Sequence, residues 1–167
     1  MINKLFSPIT PTSHIVLWLP HKLTVYRIQS NIFLPNSPKE VFTYEIGSET
    51  SLHDLLVTIK RYCKPKFDDR WLLGLPLKNF SIVNFSLPKA AETNFDQAAR
   101  YALMRHVPYD LSSLYVHYHL LSDSDALEIS AITAPKNTLS PMIHSFEAAG
   151  ITLTAVFPSL AFWAMHE

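Results

Sequence analysis

Between residues 87 and 121 a Leu-Pro step leads into an alanine-bearing amphipathic stretch, then a Val-Pro-Tyr turn, then a run whose side chains alternate in character. That order admits few folds. Asn94 is placed to accept from the backbone N–H of Gln97, and Gln97 to reach back in the manner of a capping box, so a helix is predicted over 94–107. Phe95, Ala98, Ala99, Ala102, Leu103 and His106 recur at helical spacing and mark one buried face, with Asp96, Gln97, Arg100 and Arg105 around the rest of the cylinder. Pro108 disfavours helix at Val107 and supplies no N–H, which sets the end. Beyond it Leu114, Val116, Tyr118 and Leu120 alternate with Tyr115, His117, His119 and Leu121, a strand with one apolar and one mixed face. A sheet covered on one side fits that pattern.

The same rules divide the rest of the chain. Residues 1–13 hold two prolines and little periodicity and read as a loose arm. Runs rich in β-formers over 15–19 and 23–29 predict a hairpin, and a third strand follows near 41–46, past Pro35 and Pro38. Ser51 caps a helix with apolar positions Leu52, Leu55, Leu56, Ile59 and Cys63, and 71–75 reads as a fully buried strand parallel to its neighbour. Strands over 80–87, 114–121 and 127–133, with the helix between the first two and an Asp123-Ser124-Asp125 turn between the last two, form a second lobe. The chain returns through a helix that Pro141 either starts or kinks, Gly150 as its left-handed terminator, a strand over 152–157 and a helix from Pro158. The fold class is therefore α/β: a ribonuclease H-like lobe from 14–76 and 134–167, and a strand-helix-strand-strand lobe from 77–133.

Composition removes several functions. Fourteen basic and fourteen acidic side chains cancel, so no broad positive field exists to hold a phosphate backbone, and nucleic-acid binding is not expected. Cys63 is the only cysteine and has no internal disulfide partner, as in a protein of a reducing compartment. The apolar run at 15–19 is too short for a signal peptide, and the weakly polar stretch 151–165 falls short of the roughly 20 apolar residues that a spanning helix needs.

Leu87-Pro88 followed by AARYALMRHVPYDLSSLYVHYHLL resembles the signature of the PilM and GspL families, actin-like cytoplasmic proteins of type IV pilus assembly and type II secretion. The likeness runs on through 129–134, the helix end at Ala148-Ala149-Gly150, and residues 155–161. In size the chain is similar to the short cytoplasmic domain of a bitopic inner-membrane protein of the bundle-forming pilus. The resemblance implies a truncated actin-like lobe that acts as a non-enzymatic scaffold on the cytoplasmic face of the inner membrane, its membrane span following residue 167 in the gene product. The implied partners are the assembly ATPase and polytopic and bitopic inner-membrane proteins.

Catalytic chemistry is hard to find. Proteins of ribonuclease H-like architecture place a carboxylate or a glycine turn in the first strands, yet no Asp or Glu precedes Glu40 and no Gly precedes Gly47. No cofactor, metal or catalytic residue is expected. His117 and His119 share a strand face but lack a third ligand nearby in sequence; Asp68-Asp69 reads as a solvated turn, and Cys63 as a core residue beside Lys60, Arg61 and Lys64. Tyr101, Met104, Arg105, Tyr115, His117 and His119 are the candidate partner-facing residues. Two other readings stay open: a degenerate nucleotide-binding ATPase or nuclease using acids such as Asp110 or Glu128, and a regulatory homodimer pairing through Tyr115, His117 and His119.

Overall fold

The computed structural model describes residues 12–29, 38–47, 51–66, 68–123 and 125–164. They form two compact units, the described residues of 1–76 with those of 143–167, and the described residues of 77–142.

The first unit is a five-stranded sheet of order β3-β2-β1-β4-β8. Its strands are β1 (Thr12–Trp18), β2 (Lys22–Gln29), β3 (Lys39–Glu45), β4 (Arg70–Leu75) and β8 (Leu153–Pro158). The first three are antiparallel, β1 and β2 joined through a tight turn in which Leu19 N–H donates to the Lys22 carbonyl at 2.9 Å. β4 is parallel to both β1 and β8. Helix α1 (Leu52–Cys63) makes the crossover from β3 to β4. This is the ribonuclease H-like arrangement that the run of strands, helix and strand predicts. Thr12 and Ser13 belong to β1, where hydrogen bonding to β2 overrides their weak pattern, while residues 1–11 of the expected arm and Pro35 lie outside the described residues.

Each face of this sheet is covered. Ile15 and Leu17 point to one side, where they pack with Tyr26, Ile28, Leu72, Phe157 and the fully buried Phe162 of α4 (Ser159–Ala164). By strand alternation the other side carries His14, Val16, Leu23, Val25, Trp71, Leu73 and Leu75, all buried. Arg27, on that side, donates from Nη2 to the Cys63 carbonyl at 2.8 Å and so fixes the C-terminus of α1 there. The buried stripe of α1 is Leu55, Leu56, Ile59 and Cys63, and Ser51 accepts from Asp54 N–H at 3.5 Å as its N-cap. Helix α3 (Lys136–Ala148) ends in a Schellman motif: Gly150, at φ +69°, donates to the Glu147 carbonyl at 2.8 Å, and Ile151 to that of Phe146 at 2.9 Å. Lys60 Nζ closes the same end, 2.7 Å from the Gly150 carbonyl oxygen and 3.2 Å from that of Ala149.

The second unit is a three-stranded antiparallel sheet of order β5-β7-β6, with β5 (Ser81–Pro88), β6 (Leu114–Asp123) and β7 (Ala126–Pro135). Helix α2 (Phe95–Leu103) covers one face, its Ala99 and Leu103 buried among Phe85, Leu87, Leu127, Ile129 and Ala131. Ser124 of the expected β6–β7 turn lies outside the described residues. The unit runs past residue 133 through Met142, so its boundary falls inside α3.

Three local expectations change. The capping box at Asn94 is not formed: a 3-10 segment (Lys89–Asn94) runs straight into α2, and Asn94 makes no side-chain cap bond. The helix stops at Leu103, well short of 107, as its last turn tightens: Arg105 N–H donates to Ala102 at 3.1 Å and His106 N–H to Leu103 at 2.9 Å. His106 thereby leaves the buried face and is exposed, stacked near Phe85 at 6.1 Å. Pro141 is the sixth residue of α3, which starts at Lys136 directly after β7.

Candidate functional site

Strand β6 organises the surface of the second unit. Its alternation places Leu114, Val116 and Tyr118 on the α2 side, and Tyr115, His117 and His119 on the other. On that other face the pairing lines up Ile82, Ile132 and His117 in one row and Asn84, Ser130 and His119 in the next. Tyr115 is 41% exposed and Ile82 52%, so this face is open. Tyr115 Oη lies 3.2 Å from Ser140 Oγ, and the Lys136 ammonium sits 5.7 Å from the Tyr115 ring centre.

Of the six candidate contact residues, Tyr115, His117 and His119 therefore share one surface. Tyr101, Met104 and Arg105 are also exposed but belong to α2 and the turn after it, on the opposite side of the sheet. The Arg105 guanidinium lies 5.3 Å from the Tyr101 ring centre, which ties these two into a second patch. The structure thus brings the six together as two groups of three.

A feature that no sequence signal announced lies between α2 and β6. Helix α2 sits closer to β5 than to β6, which it meets edge-on through Phe95 against Tyr118 at 6.1 Å, and the strip beside that contact is a groove of about 730 Å³. Leu111, Leu114, Val116 and Tyr118 give it an apolar floor, and Asp96, Gln97, Arg100, Ser112 and Lys136 its polar rim. Two cations and one carboxylate line it, and the Asp110 carboxylate just outside the lining also feels the Arg100 charge. Burial pushes the Tyr118 phenol up from its ordinary value, so it is a neutral donor at physiological pH.

The acids proposed for enzymatic chemistry do not meet. Asp110 caps the short turn before β6, accepting from Ser112 N–H at 2.9 Å, and that hydrogen bond holds its carboxyl below the usual range. Glu128 lies at the other end of the hairpin, opposite Ser122, and the strand between spans about 26 Å at ~3.3 Å per residue. Across from His117 and His119 stand Ile132 and Ser130. Among the described residues no three His, Cys, Asp or Glu gather as a metal site would require.

Asp69 departs from its sequence reading. It does not belong to a solvated turn: its carboxylate is 5% exposed, accepts from Lys66 N–H at 2.8 Å and pairs with the buried His14 at 3.0 Å. Adjacent acids in a Pro-Lys context signal a turn, but nothing in the spacing shows that a histidine 55 residues earlier will pair with one of them. Cys63 is buried, and that burial pushes its thiol up despite the nearby Arg27 charge, which matches a core cysteine.

A ribonuclease H-like sheet followed by a small strand-helix-strand-strand unit defines the actin-like class of α/β fold. No family model matches the sequence, and no curated protein matches it significantly. Among solved structures the chain is similar to the cytoplasmic domain of EpsL, an inner-membrane component of the type II secretion system of Vibrio cholerae, with 13% identity and a TM-score of 0.59 over 88% of this chain and 57% of that one. It is also similar to a chain of the PilM–PilN type IV pilus biogenesis complex, with 10% identity and a TM-score of 0.68 over 90% of this chain and 47% of that one. The chain spans about half the length of the solved chains it matches. Likeness at these identities is likeness of fold. No helix among the described residues is long and apolar enough to cross a membrane.

Proposed function

We propose that this chain is a non-enzymatic scaffold domain of a bacterial type IV pilus or type II secretion inner-membrane assembly, recruiting the assembly ATPase and neighbouring polytopic and bitopic inner-membrane proteins. The observation that carries the reading is the shared fold with two solved components of such assemblies, across both units of the chain. Support also comes from the β1–β2 turn, where Leu19, Pro20 and His21 supply neither a carboxylate for a metal nor a glycine for a phosphate. Within that group the chain is similar in size to the cytoplasmic domain of the bundle-forming pilus protein BfpC, and the cytoplasmic face of the inner membrane is the location this reading implies.

Two measurements test it. The purified assembly ATPase of the same system should co-elute with this domain at micromolar concentrations, and titration with magnesium and ATP should give no saturable heat. An ATPase and inner-membrane partners that all fail to bind would overturn the scaffold role. Saturable nucleotide binding would instead favour a degenerate ATPase. Sedimentation across a concentration series decides the homodimer reading, which a concentration-independent monomer removes.

A further inference from the structure

The edges of the two sheets are not protected alike. β3, an edge of the first sheet, carries Lys39, Glu40 and Glu45, and charges of this kind discourage a further strand from pairing. β5, one edge of the second sheet, ends in Pro88 and has α2 packed over it. β6 has none of these devices from Leu114 through Ser122. It is ten residues long, and from Leu114 through Leu121 it contains no Lys, Arg, Asp, Glu or Pro. Its only irregularity is a register shift between Leu120 and Ser122, near the hairpin end. The side of β6 away from β7 has no strand neighbour among the described residues; Tyr115, His117 and His119 are exposed on one face, and the other, half-buried face borders the groove. A strand left so bare is a template for main-chain hydrogen bonding by another segment.

The groove beside this edge selects the segment. In strand addition, main-chain bonds supply affinity, and pockets for alternate side chains supply specificity. Here the pocket floor is Leu111, Leu114 and Val116, and Arg100 and Lys136 stand at its rim with Asp96 as the sole carboxylate. A second copy of β6 would bring only Leu114, Val116 and Tyr118 into the groove and add no carboxylate beside Lys136 and Arg100. We propose that an extended acidic segment of a partner protein pairs with β6 as a fourth strand, its carboxylates over Arg100 and Lys136 and its apolar side chains on the floor of the groove. The inference rests on the scaffold reading for the existence of a partner, and on β6 and its groove for the partner's chemistry.

The experiment uses the full chain, isotopically labelled, with a capped peptide Thr-Glu-Val-Glu-Val-Glu-Thr and its counterpart carrying Lys in place of each Glu. Amide exchange along β6 and binding isotherms are read together. The acidic peptide should slow exchange at alternate β6 amides, and the basic one should not. The double variant Arg100→Glu/Lys136→Glu alters two exposed side chains and leaves the core intact. It should weaken the acidic peptide about ten-fold and reverse the preference, as expected for two partly exposed charge pairs. No protection of β6 by either peptide overturns the proposal, as does equal binding of the acidic peptide to the charge-reversed variant. Protection that grows with protein concentration in the absence of peptide overturns it in favour of self-pairing. If the ATPase binds while the peptide does not, the scaffold reading stands and this inference falls.

Discussion

His14 Nε2 lies 3.0 Å from Asp69 Oδ2, and the two side chains are 1% and 5% exposed. An ionised carboxylate only accepts, so His14 donates through Nε2. Its ring stacks on Trp71, the residue opposite it in the parallel pairing, with centroids 4.5 Å apart. The contact ties β1 to the segment that leads into β4.

This pair makes stability rise with pH. Burial drives the His14 pKa below its ordinary 6.5, outweighing the upward pull of the Asp69 hydrogen bond and charge. Burial alone would raise the Asp69 carboxyl above 3.8, but the Lys66 N–H and then His14 more than offset it and hold it lower. Both folded pKa values lie below the unfolded ones, so the unfolded chain binds more protons as pH falls. The His14 contribution is complete above pH 6.5 and is lost as pH drops from there through its folded value. The Asp69 contribution follows below pH 3.8. Urea unfolding between pH 8 and pH 4 should show the midpoint falling from about pH 6.5, and Asp69→Asn should cost about 1–3 kcal/mol at neutral pH. A midpoint independent of pH over that range would contradict the assignment.

Gly74→Ala should destabilise by about 1–3 kcal/mol through overpacking. A Cβ at this position would lie 2.5 Å from Leu17 Cδ2 and 3.3 Å from the Phe157 ring, on the neighbouring strands β1 and β8. Leu17 is itself buried and has no space to turn away. The check is a lower urea midpoint with an unchanged m-value.

Lys60 and Gly150 should behave as one unit. Gly150→Ala forces an L side chain to φ +69° and sets its Cβ 2.6 Å from Lys60 Nζ, at a cost of about 1–2 kcal/mol. Lys60→Ala removes two bonds to the end of α3. Because the first change already disturbs those bonds, the double variant should lose less than the two single losses added together, measured by a thermodynamic cycle.

The Cys63 thiol should resist modification in the native state, since burial both raises its pKa and shuts out reagent. Labelling by a thiol reagent at neutral pH should proceed at the rate at which the domain opens and become fast in denaturant. Immediate labelling of folded protein would show α1 to be loosely docked.

Elements with strong periodicity were legible in the sequence. The stripe of α1, the buried run of β4, the alternation of β6 and the left-handed Gly150 all follow from residue pattern, because helical and strand spacing report directly on which side faces a core. The capping of α2 was not legible, since whether Asn94 caps depends on the backbone that enters the helix, and a 3-10 segment leaves no trace in periodicity. The two patches of candidate contact residues could be named individually, but not sorted onto opposite sides of the sheet, because that depends on which face α2 covers. The groove beside β6 was also hidden: it exists because α2 is displaced toward β5, a tertiary choice made by the packing of Phe85, Leu87, Ala99 and Leu103.

The first unit is assembled from two separated stretches of chain, whereas the second is continuous. During synthesis, residues 77–142 emerge with every strand of their own sheet, while β4 must wait for β8 with one long side unpaired. A ribosome stalled before Leu153 would therefore hold a finished small sheet and an unfinished large one. Any fragment chosen for expression as an independent piece is better cut to contain residues 77–142 alone than the N-terminal stretch alone.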